Sequence, residues 1–485
     1  MRWMISGFLW MVWLGPAAAD PAQCGEPVAQ YSVRFAGEDR FVIDAEFAAP
    51  SQRWDLAHFP TPERPEAQAA SVRDLEAFSA SGDAVEILYV GEGGWETTAV
   101  GGASRLRYTL IADHDQVDWN IGAPGKDEVA AHFDASYVFA GHAFFLLDWD
   151  MPRCAVDLSF DLPAGWLVTA PWPEHGEGYR IADSWALGQN MFAMGLDQPQ
   201  ETRTGGLSLS WLMDSRLDTI RPRAVEILDV VPGAYTEFWG EAPGSAYTIF
   251  FMSDYMSDGG AFWDSFALRI ALPLSAADEI SWSHTLGHEV MHLWNSLGKA
   301  DGENVPDLEW VNEGFTDYLT LKLMSQAGLI EPEMVEQRLA NLVRRYVLAG
   351  RFSPGVSLRE AGHDKSAHWQ TVYGGGGLVA LLLDAELSRT EPQAFGAALR
   401  AMRAEQGEGY SYERFLETLD RLTENRASEL VAWIDGRPSN SELVVRFAAA
   451  GLDLSLFGFD EAYVRFPACG DARCPPPYLA PGGRP

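Results

Sequence analysis

The chain has 485 residues, of which 47% are hydrophobic and 21% are charged, and its formal net charge is −34. This length predicts two or three domains with large cores, and the composition argues against global disorder. Because an acidic surface repels phosphate groups, the charge argues against binding to nucleic acid and against adsorption to anionic membranes.

The N-terminus has the composition of a secretory signal peptide. Arg2 precedes an apolar run over residues 3–14, and the small residues 17–19 fit a cleavage site before Asp20. The apolar run is shorter than the ~20 residues that a membrane-spanning helix needs. We therefore predict a signal peptide at 1–19, no stable membrane insertion after its removal, and a periplasmic or secreted location.

Four cysteines in an exported chain favour disulfide bonds. Cys469 and Cys474 bracket a short loop that a bridge could close, and Cys24 could then pair with Cys154. Three pairings are possible for four cysteines, and the sequence does not choose among them.

Two kinds of pattern follow each other along the chain. From about residue 26 to 215, segments of alternating polarity are separated by Gly, Pro and Asp, which is typical of antiparallel strands. Helical spacing dominates from residue 283, and the composition of 475–485 predicts a frayed end. We predict an α+β, multidomain fold after the signal peptide, with these parts: a β-sandwich-like N-terminal domain (20–215), a mostly α-helical domain (216–455) and a C-terminal tail (456–485) with Cys469 and Cys474.

The stretch SHTLGHEVMHLWN (283–295) contains a candidate metal-binding motif. His288 and His292 lie four residues apart, so on a helix they share one face and can bind one ion. Glu289 borders that face. In this H-E-x-x-H arrangement two imidazoles bind zinc and the carboxylate takes a proton from the zinc-bound water. A buried structural histidine pair is the alternative interpretation.

A catalytic zinc ion needs a third protein ligand and one open position. The segment EWVNEGFTDYL (309–319) offers Glu313, with Glu309 as an alternative one turn earlier. Asp317 can hydrogen-bond to the second nitrogen of a ligand histidine. The predicted site holds one Zn²⁺ per chain and comprises His288, His292 and Glu313 as ligands, Glu289 as general base, Asp317 beside a ligand and Asn295 bracing the zinc helix.

These motifs carry a family resemblance. HEVMHLWN (288–295) and NEGFTDYL (312–319) resemble the gluzincin zinc peptidases, and among them the glycyl aminopeptidase family, a relative of the leucine and alanyl aminopeptidases. Further similar segments are LPAGW (162–166), YTEFWGEAPGSAYTIFFM (235–252) and VYGGGGLVALLLDAEL (372–387). The resemblance implies a thermolysin-like zinc peptidase domain in the helical half. Members of that family often carry a C-terminal PDZ domain, and we expect none here because the chain is too short after residue 451.

The resemblance also implies roles for residues outside the zinc motif. Tyr373 would donate a hydrogen bond to the oxyanion, and the glycines that follow it would let a substrate backbone approach closely. The family binds the free amine of its substrate at a segment similar to SDGGAFWDSFALRI (257–270). This sequence keeps Gly259 and Gly260 but lacks the usual glutamate, and Asp264 is the nearest carboxylate.

Together these features predict an exported zinc-dependent metallopeptidase that acts on peptides or proteins. The resemblance favours aminopeptidase action, and the missing glutamate leaves endopeptidase action open. Two alternatives also remain: a peptide-binding protein of the same fold with little turnover, and a zinc hydrolase that cleaves non-peptide amide or ester bonds.

Overall fold

The computed structural model describes residues 24–114, 119, 125–243, 246–300, 303–389, 391–406, 410–458, 461–469 and 472–480. The predicted signal peptide lies outside these residues. Within the described ranges, no helix combines the length and the apolar character that spanning a bilayer requires.

The first half of the chain folds into strands that follow its alternating pattern. In β1 (Ala29–Gly37), Ala29, Tyr31 and Val33 are buried and the residues between them are exposed, so one face of the strand is apolar. The other strands of this half are β2 (Arg40–Ser51), β3 (Arg53–Asp55), β4 (Val72–Phe78), β5 (Ala84–Val85), β6 (Ile87–Gly91), β7 (Gly94–Thr97), β8 (Ala103–Ile111), β9 (Ala131–Phe133), β10 (Ser136–Ala140), β11 (Val156–Asp161), β12 (Leu167–Thr169), β13 (Glu174–His175), β14 (Gly178–Ile181) and β15 (Met191–Gly195).

These strands form an eight-stranded sheet (order β13-β14-β11-β1-β2-β8-β4-β5), a four-stranded sheet (β12-β15-β10-β9) and a three-stranded sheet (β3-β7-β6). The two larger sheets share one core, with Phe41, Leu106 and Val156 from the first and Phe139 and Phe192 from the second. Most pairings are antiparallel, but β1 and β11 run parallel. Alternating polarity could not reveal this, because it reports which face is exposed and not the direction of the strand.

The second half is mixed, with helices in the majority. Its strands are β16 (Gln200–Thr204), β17 (Leu207–Met213), β18 (Ala246–Asp254), β19 (Asp258–Ala261), β20 (Ser265–Ala271), β21 (Lys299–Ala300), β22 (Glu303–Asn304), β23 (Asp453–Phe457), β24 (Glu461–Arg465), β25 (Ala468–Cys469) and β26 (Ala472–Arg473). The α-helices within the described residues are α1 (Ser184–Gly188), α2 (Arg221–Trp239), α3 (Ala276–Met291), α4 (Thr316–Gln326), α5 (Pro332–Phe352), α6 (Leu358–Ala361), α7 (Lys365–Gln370), α8 (Gly376–Leu387), α9 (Ala394–Glu405), α10 (Tyr412–Thr423), α11 (Arg426–Asp435) and α12 (Asn440–Ala449).

A five-stranded sheet, with the order β16-β17-β18-β20-β19, packs against the helices of the second half. Its central strands β17, β18 and β20 run parallel, and β19 is an antiparallel edge strand. The buried residues Leu209 and Trp211 of β17 share a core with Leu286 of α3 and Leu381 of α8. The sheet of the helical half therefore begins before the sequence pattern changes near residue 215.

The C-terminal segment docks on the helices, so the prediction of a frayed end is wrong for residues 475–480. Tyr478 and Leu479 are buried in the core of the second half. The Ser325 hydroxyl donates to the carbonyl of Leu479 (2.7 Å), and the Gln326 amide donates to that of Tyr478 (3.1 Å). Two buried apolar side chains and two hydrogen bonds to backbone carbonyls therefore hold a segment whose proline content alone predicted a frayed end.

Two disulfide bonds join the four cysteines. Cys24 pairs with Cys154, and Cys469 pairs with Cys474. Of the three pairings that the sequence left open, the structure contains the one in which Cys469 and Cys474 close their own short loop.

Helix α3 carries the H-E-x-x-H motif. It begins with a capping box in which the backbone N–H of Ser275 donates to the Asp278 carboxylate (2.6 Å). Its apolar face enters the core through Trp282, Leu286 and Val290. His284 and His288 each lie two residues further on, which is about 200° round the helix. The packing that orients α3 therefore turns these histidines away from the apolar core.

Two π-helical segments, Trp310–Phe315 and Thr371–Gly375, precede helices α4 and α8 and pack against each other. They meet through glycines: a Cβ added at Gly314 would lie 2.6 Å from the Cα of Gly376, and one added at Gly376 would lie 2.1 Å from the Trp310 carbonyl oxygen. The glycines after Tyr373 are buried between helices, so the expectation that they admit a substrate backbone is wrong. They let two helices approach closely instead.

Replacing Gly376 with alanine should therefore destabilise the fold. The added methyl group meets a backbone carbonyl that cannot rotate away, and overpacking of this kind typically costs about 1–3 kcal/mol. Urea unfolding of the variant and of the wild type measures the difference. Gly350→Ala in α5 is the matched control, because its methyl group would have no neighbour closer than 3.9 Å. Equal stability of the two variants would contradict the proposed close contact.

Candidate active site

The structure brings the three predicted zinc ligands together. His288 and His292 extend from the end of α3, and Glu313 extends from the π-helical segment before α4. The Nε2 atoms of the two histidines are 3.1 Å apart. Glu313 Oε2 lies 3.1 Å from Nε2 of His288 and 3.5 Å from Nε2 of His292. The three donor atoms thus form a compact triangle, in a largely buried location.

The dimensions of this triangle fit a zinc ion. Tetrahedral zinc with ligand bonds of about 2.0–2.1 Å requires donor atoms roughly 3.3 Å apart. The three observed separations, 3.1, 3.1 and 3.5 Å, bracket this value. Two imidazoles and one carboxylate are also a donor set found in catalytic zinc sites, which leave a fourth position for water. In the described part of the chain, no fourth histidine or cysteine joins the cluster.

Lys365 fixes the charge and the orientation of Glu313. Its Nζ atom lies 2.5 Å from Glu313 Oε1, which leaves Oε2 to face the histidines. Burial raises the pKa of the Glu313 carboxyl, but Lys365 and His292 overcome this effect and hold the pKa well below its usual range. Glu309, the alternative ligand, pairs more loosely with Lys365 (3.5 Å) and lies outside the triangle.

Asp317 lies behind His288, away from the triangle. Its Oδ1 atom is 3.6 Å from Nδ1 of His288 and 2.5 Å from Nε2 of His284, and its Oδ2 accepts from Arg345 (3.2 Å). Burial lowers the pKa of His288, but Asp317 and Glu313 together raise it to about 10. A metal ion that binds there must displace a proton.

The sequence interpretation missed His284, Lys365 and Arg345. His284 had a visible signal, since it lies one helical turn before His288 on the same face of α3. Lys365 and Arg345 reach the site from α7 and α5. Neither belongs to a motif, and no local spacing connects them with the zinc helix.

Glu289 and Tyr373 border the triangle. Glu289 is half-buried and faces the edge strand β19, where a Cβ added at Gly259 would lie 3.4 Å from Glu289 Oε1. The Tyr373 ring stacks on that of His288, with centroids 5.8 Å apart, and the Arg345 guanidinium lies 5.6 Å from its centroid. Burial, Glu313 and Glu289 raise the pKa of the Tyr373 phenol, which keeps it protonated and able to donate a hydrogen bond.

Asn295 connects the two segments that supply the ligands. Its side-chain amide donates to the carbonyl of Val311 (3.2 Å) and to the hydroxyl of Thr316 (2.8 Å), and it is fully buried. These bonds tie the end of the zinc helix to both sides of Glu313. The position suits the bracing role that was expected from the sequence.

The segment expected to bind a substrate amine is only partly at the site. Gly259 lies beside Glu289, whereas Gly260 abuts Asp127, whose Oδ2 would be 1.9 Å from an added Cβ. Asp264 lies in the turn between β19 and β20, and its backbone N–H donates to the Asn190 side chain (2.8 Å).

The fold resembles those of known aminopeptidases. An aminopeptidase N family protein from Idiomarina loihiensis aligns with a TM-score of 0.67 at 17% identity, over 88% of this chain and 79% of that chain. A variant of the M1 zinc metallopeptidase from Deinococcus radiodurans aligns with a TM-score of 0.50 at 14% identity, over 85% of this chain and 94% of that chain. At these identities the likeness concerns the fold alone. No curated protein matches the chain.

The family comparison concerns the part of the chain that contains the site. Residues 281–375 match the family model of the M61 glycyl aminopeptidases. This segment includes the donor triangle, Glu289 and Tyr373. The match confirms the resemblance found in the sequence: the segment is an M61 glycyl aminopeptidase region, and it identifies the chain as an aminopeptidase-like zinc metallopeptidase.

Proposed function

We propose that the chain is an exported peptidase that hydrolyses peptide bonds with a zinc-activated water, preferentially next to a free amino terminus. The observation that carries the proposal is the donor triangle of His288, His292 and Glu313, with Glu289 and Tyr373 at its border. The family match over the same residues supports peptide substrates and aminopeptidase action. The two disulfide bonds support export.

The proposed organisation follows the sequence. After a signal peptide at 1–19, a β-sandwich-like domain (20–215) would precede a thermolysin-like catalytic domain (216–455) and a tail (456–485). The likeness to the aminopeptidase N family fold supports this arrangement. If export removes the signal peptide, sequencing of the mature protein should give an N-terminus at Asp20. A mature chain that still begins at Met1 would contradict this prediction.

Each residue of the site has its own chemical role in the proposed mechanism. His288, His292 and Glu313 would hold one zinc ion. When bound, zinc polarises the substrate carbonyl and lowers the pKa of its water from 15.7 toward ~7. Glu289 then accepts a proton from the attacking water and passes it to the leaving amine. The Tyr373 phenol donates a hydrogen bond to the oxygen on which negative charge develops.

Activity on matched substrates tests the proposal. The purified, zinc-loaded protein should cleave peptides with a free amino terminus faster than the same peptides with an acetylated terminus. Cleavage of both sets at equal rates would assign an endopeptidase. Binding of peptides without cleavage would support a peptide-binding protein, and cleavage of esters alone would support another zinc hydrolase. Failure to cut either peptide set with zinc present overturns the peptidase proposal.

Replacing Tyr373 with phenylalanine should lower kcat by about 100- to 1,000-fold with little change in bound zinc. The substitution removes one oxyanion donor, and such donors typically contribute this much. The ring that stacks on His288 is retained, so the metal site should persist. Steady-state kinetics and metal analysis measure the two quantities. Tyr463→Phe, at an exposed position in β24, is the control. Unchanged kcat in Tyr373→Phe would remove the phenol from the mechanism.

A further inference from the structure

Asp317 is the buried carboxylate next to the metal ligand His288, and three cationic or donor groups surround it. His284 Nε2 lies 2.5 Å from Oδ1, Arg345 Nη1 lies 3.2 Å from Oδ2, and His288 Nδ1 lies 3.6 Å from Oδ1. The shortest of the three contacts is with His284 and not with the ligand. The position of Oδ1 is therefore set mainly by a residue that does not belong to the donor triangle.

Helix α3 determines the position of His284. This residue is on the same face of α3 as His288, one turn earlier, and the two ring centroids are 6.4 Å apart. Only 8% of its surface is exposed. A buried imidazole that makes a short contact with a buried carboxylate has little freedom to move, so the pair forms a rigid support behind the ligand.

The same groups could be read as a second metal site, because donor atoms of His284, His288 and Asp317 lie within 4.8 Å of one another. The charges nearby argue against this reading. The Arg345 guanidinium contacts the Asp317 carboxylate directly (3.2 Å). A cationic group that is already paired with this carboxylate repels a second divalent cation.

We propose that His284 is a positioning residue of the zinc site and that it acts through Asp317. Its Nε2–H donates to Asp317 Oδ1, and this bond holds the carboxylate where it can orient the imidazole of His288. A carboxylate behind a ligand histidine fixes the ring orientation and makes the imidazole a better donor. His284 in turn holds the Asp317 carboxylate, so two residues in series orient the imidazole of His288.

The inference rests on the proposed zinc site, but it does not depend on peptide hydrolysis. Zinc affinity of the full-length mature protein, measured by competition with a chelator, is therefore the main readout. His284→Ala should weaken zinc binding by about 10- to 100-fold, the usual effect of losing a residue that orients a ligand. His363→Ala is the control for loss of a histidine–aspartate contact, because the exposed His363 makes an equally short contact with Asp307 (2.5 Å) away from the triangle.

A double-mutant cycle separates positioning from general damage to the fold. If His284 acts through Asp317, the variant Asp317→Ala with His284→Ala should bind zinc no more weakly than Asp317→Ala alone. His284→Gln, which keeps a side-chain N–H donor, should recover most of the affinity. His284→Gln should also leave the visible spectrum of the Co²⁺-substituted protein closer to that of the wild type than His284→Ala does.

Every other result contradicts either the positioning role of His284 or the zinc site. Wild-type affinity in His284→Ala, or additive losses in the double variant, overturns the positioning role while the zinc site stands. Equal weakening by His284→Ala and His284→Gln overturns it as well, since only packing would then matter. Absence of zinc binding by the wild type overturns the zinc site itself.

Discussion

Replacing Glu289 with glutamine should leave zinc bound and lower turnover by about 100- to 10,000-fold, the range that a general base typically contributes. Glutamine has nearly the same shape as glutamate but cannot accept a proton from water at neutral pH. Glu289 lies outside the donor triangle, at the border facing β19, so its loss should not remove a metal ligand. Metal analysis and kcat on a free-amine peptide measure the two expectations separately.

Glu279→Gln provides the control for this prediction. Glu279 is on the same helix as Glu289 but is exposed near its start, where it pairs loosely with Arg223 (3.6 Å). Its substitution changes the net charge of the protein by the same amount. Activity of Glu289→Gln equal to that of the wild type would refute the assigned base, and loss of zinc from this variant would make Glu289 a ligand.

The core of the site was predictable because it is local. His288 and His292 are one helical turn apart, and Glu313 and Asp317 are again four residues apart. Helical periodicity decides which side chains share a face, so each pair could be recognised from its own spacing. The sequence therefore predicted which residues should meet, and the structure places their donor atoms 3.1–3.5 Å apart.

The surroundings of the site could not be predicted in the same way, because they depend on tertiary packing. Lys365 and Arg345 approach from helices far along the chain, and nothing in their own segments indicates a partner. The glycines after Tyr373 show the same limit. A glycine run indicates close approach of another group, but whether that group is a substrate or the Trp310 carbonyl depends on which helix packs there.

The docking of the C-terminal segment also depends on tertiary packing and could not be predicted from the sequence. Proline and glycine lower the tendency of a segment to form helix or strand, but they do not prevent it from packing. Tyr478 and Leu479 bury their side chains against the helices, and the Ser325 and Gln326 side chains satisfy the two carbonyls. The composition correctly indicates that residues 475–480 form neither helix nor strand. It gives no information about the helices against which these residues pack.

Replacing His292 with alanine should remove zinc and activity together. His292 supplies one of three protein ligands, so the variant keeps only His288 and Glu313. The loss of affinity should exceed the 10- to 100-fold that follows from losing a residue that merely orients a ligand. Dialysis followed by metal analysis should find the wild type loaded and the variant empty, and turnover by the variant should fall to background.

The pair of variants then distinguishes the two functions of the motif. Glu289→Gln should be loaded and inactive, whereas His292→Ala should be empty and inactive, although the residues are only three positions apart on one helix. His175→Ala, at an exposed position in β13, should be loaded and active. Retention of zinc and of turnover by His292→Ala would mean that the triangle of His288, His292 and Glu313 is a buried polar cluster and not the metal centre, and the hydrolase assignment for this site would fail with it.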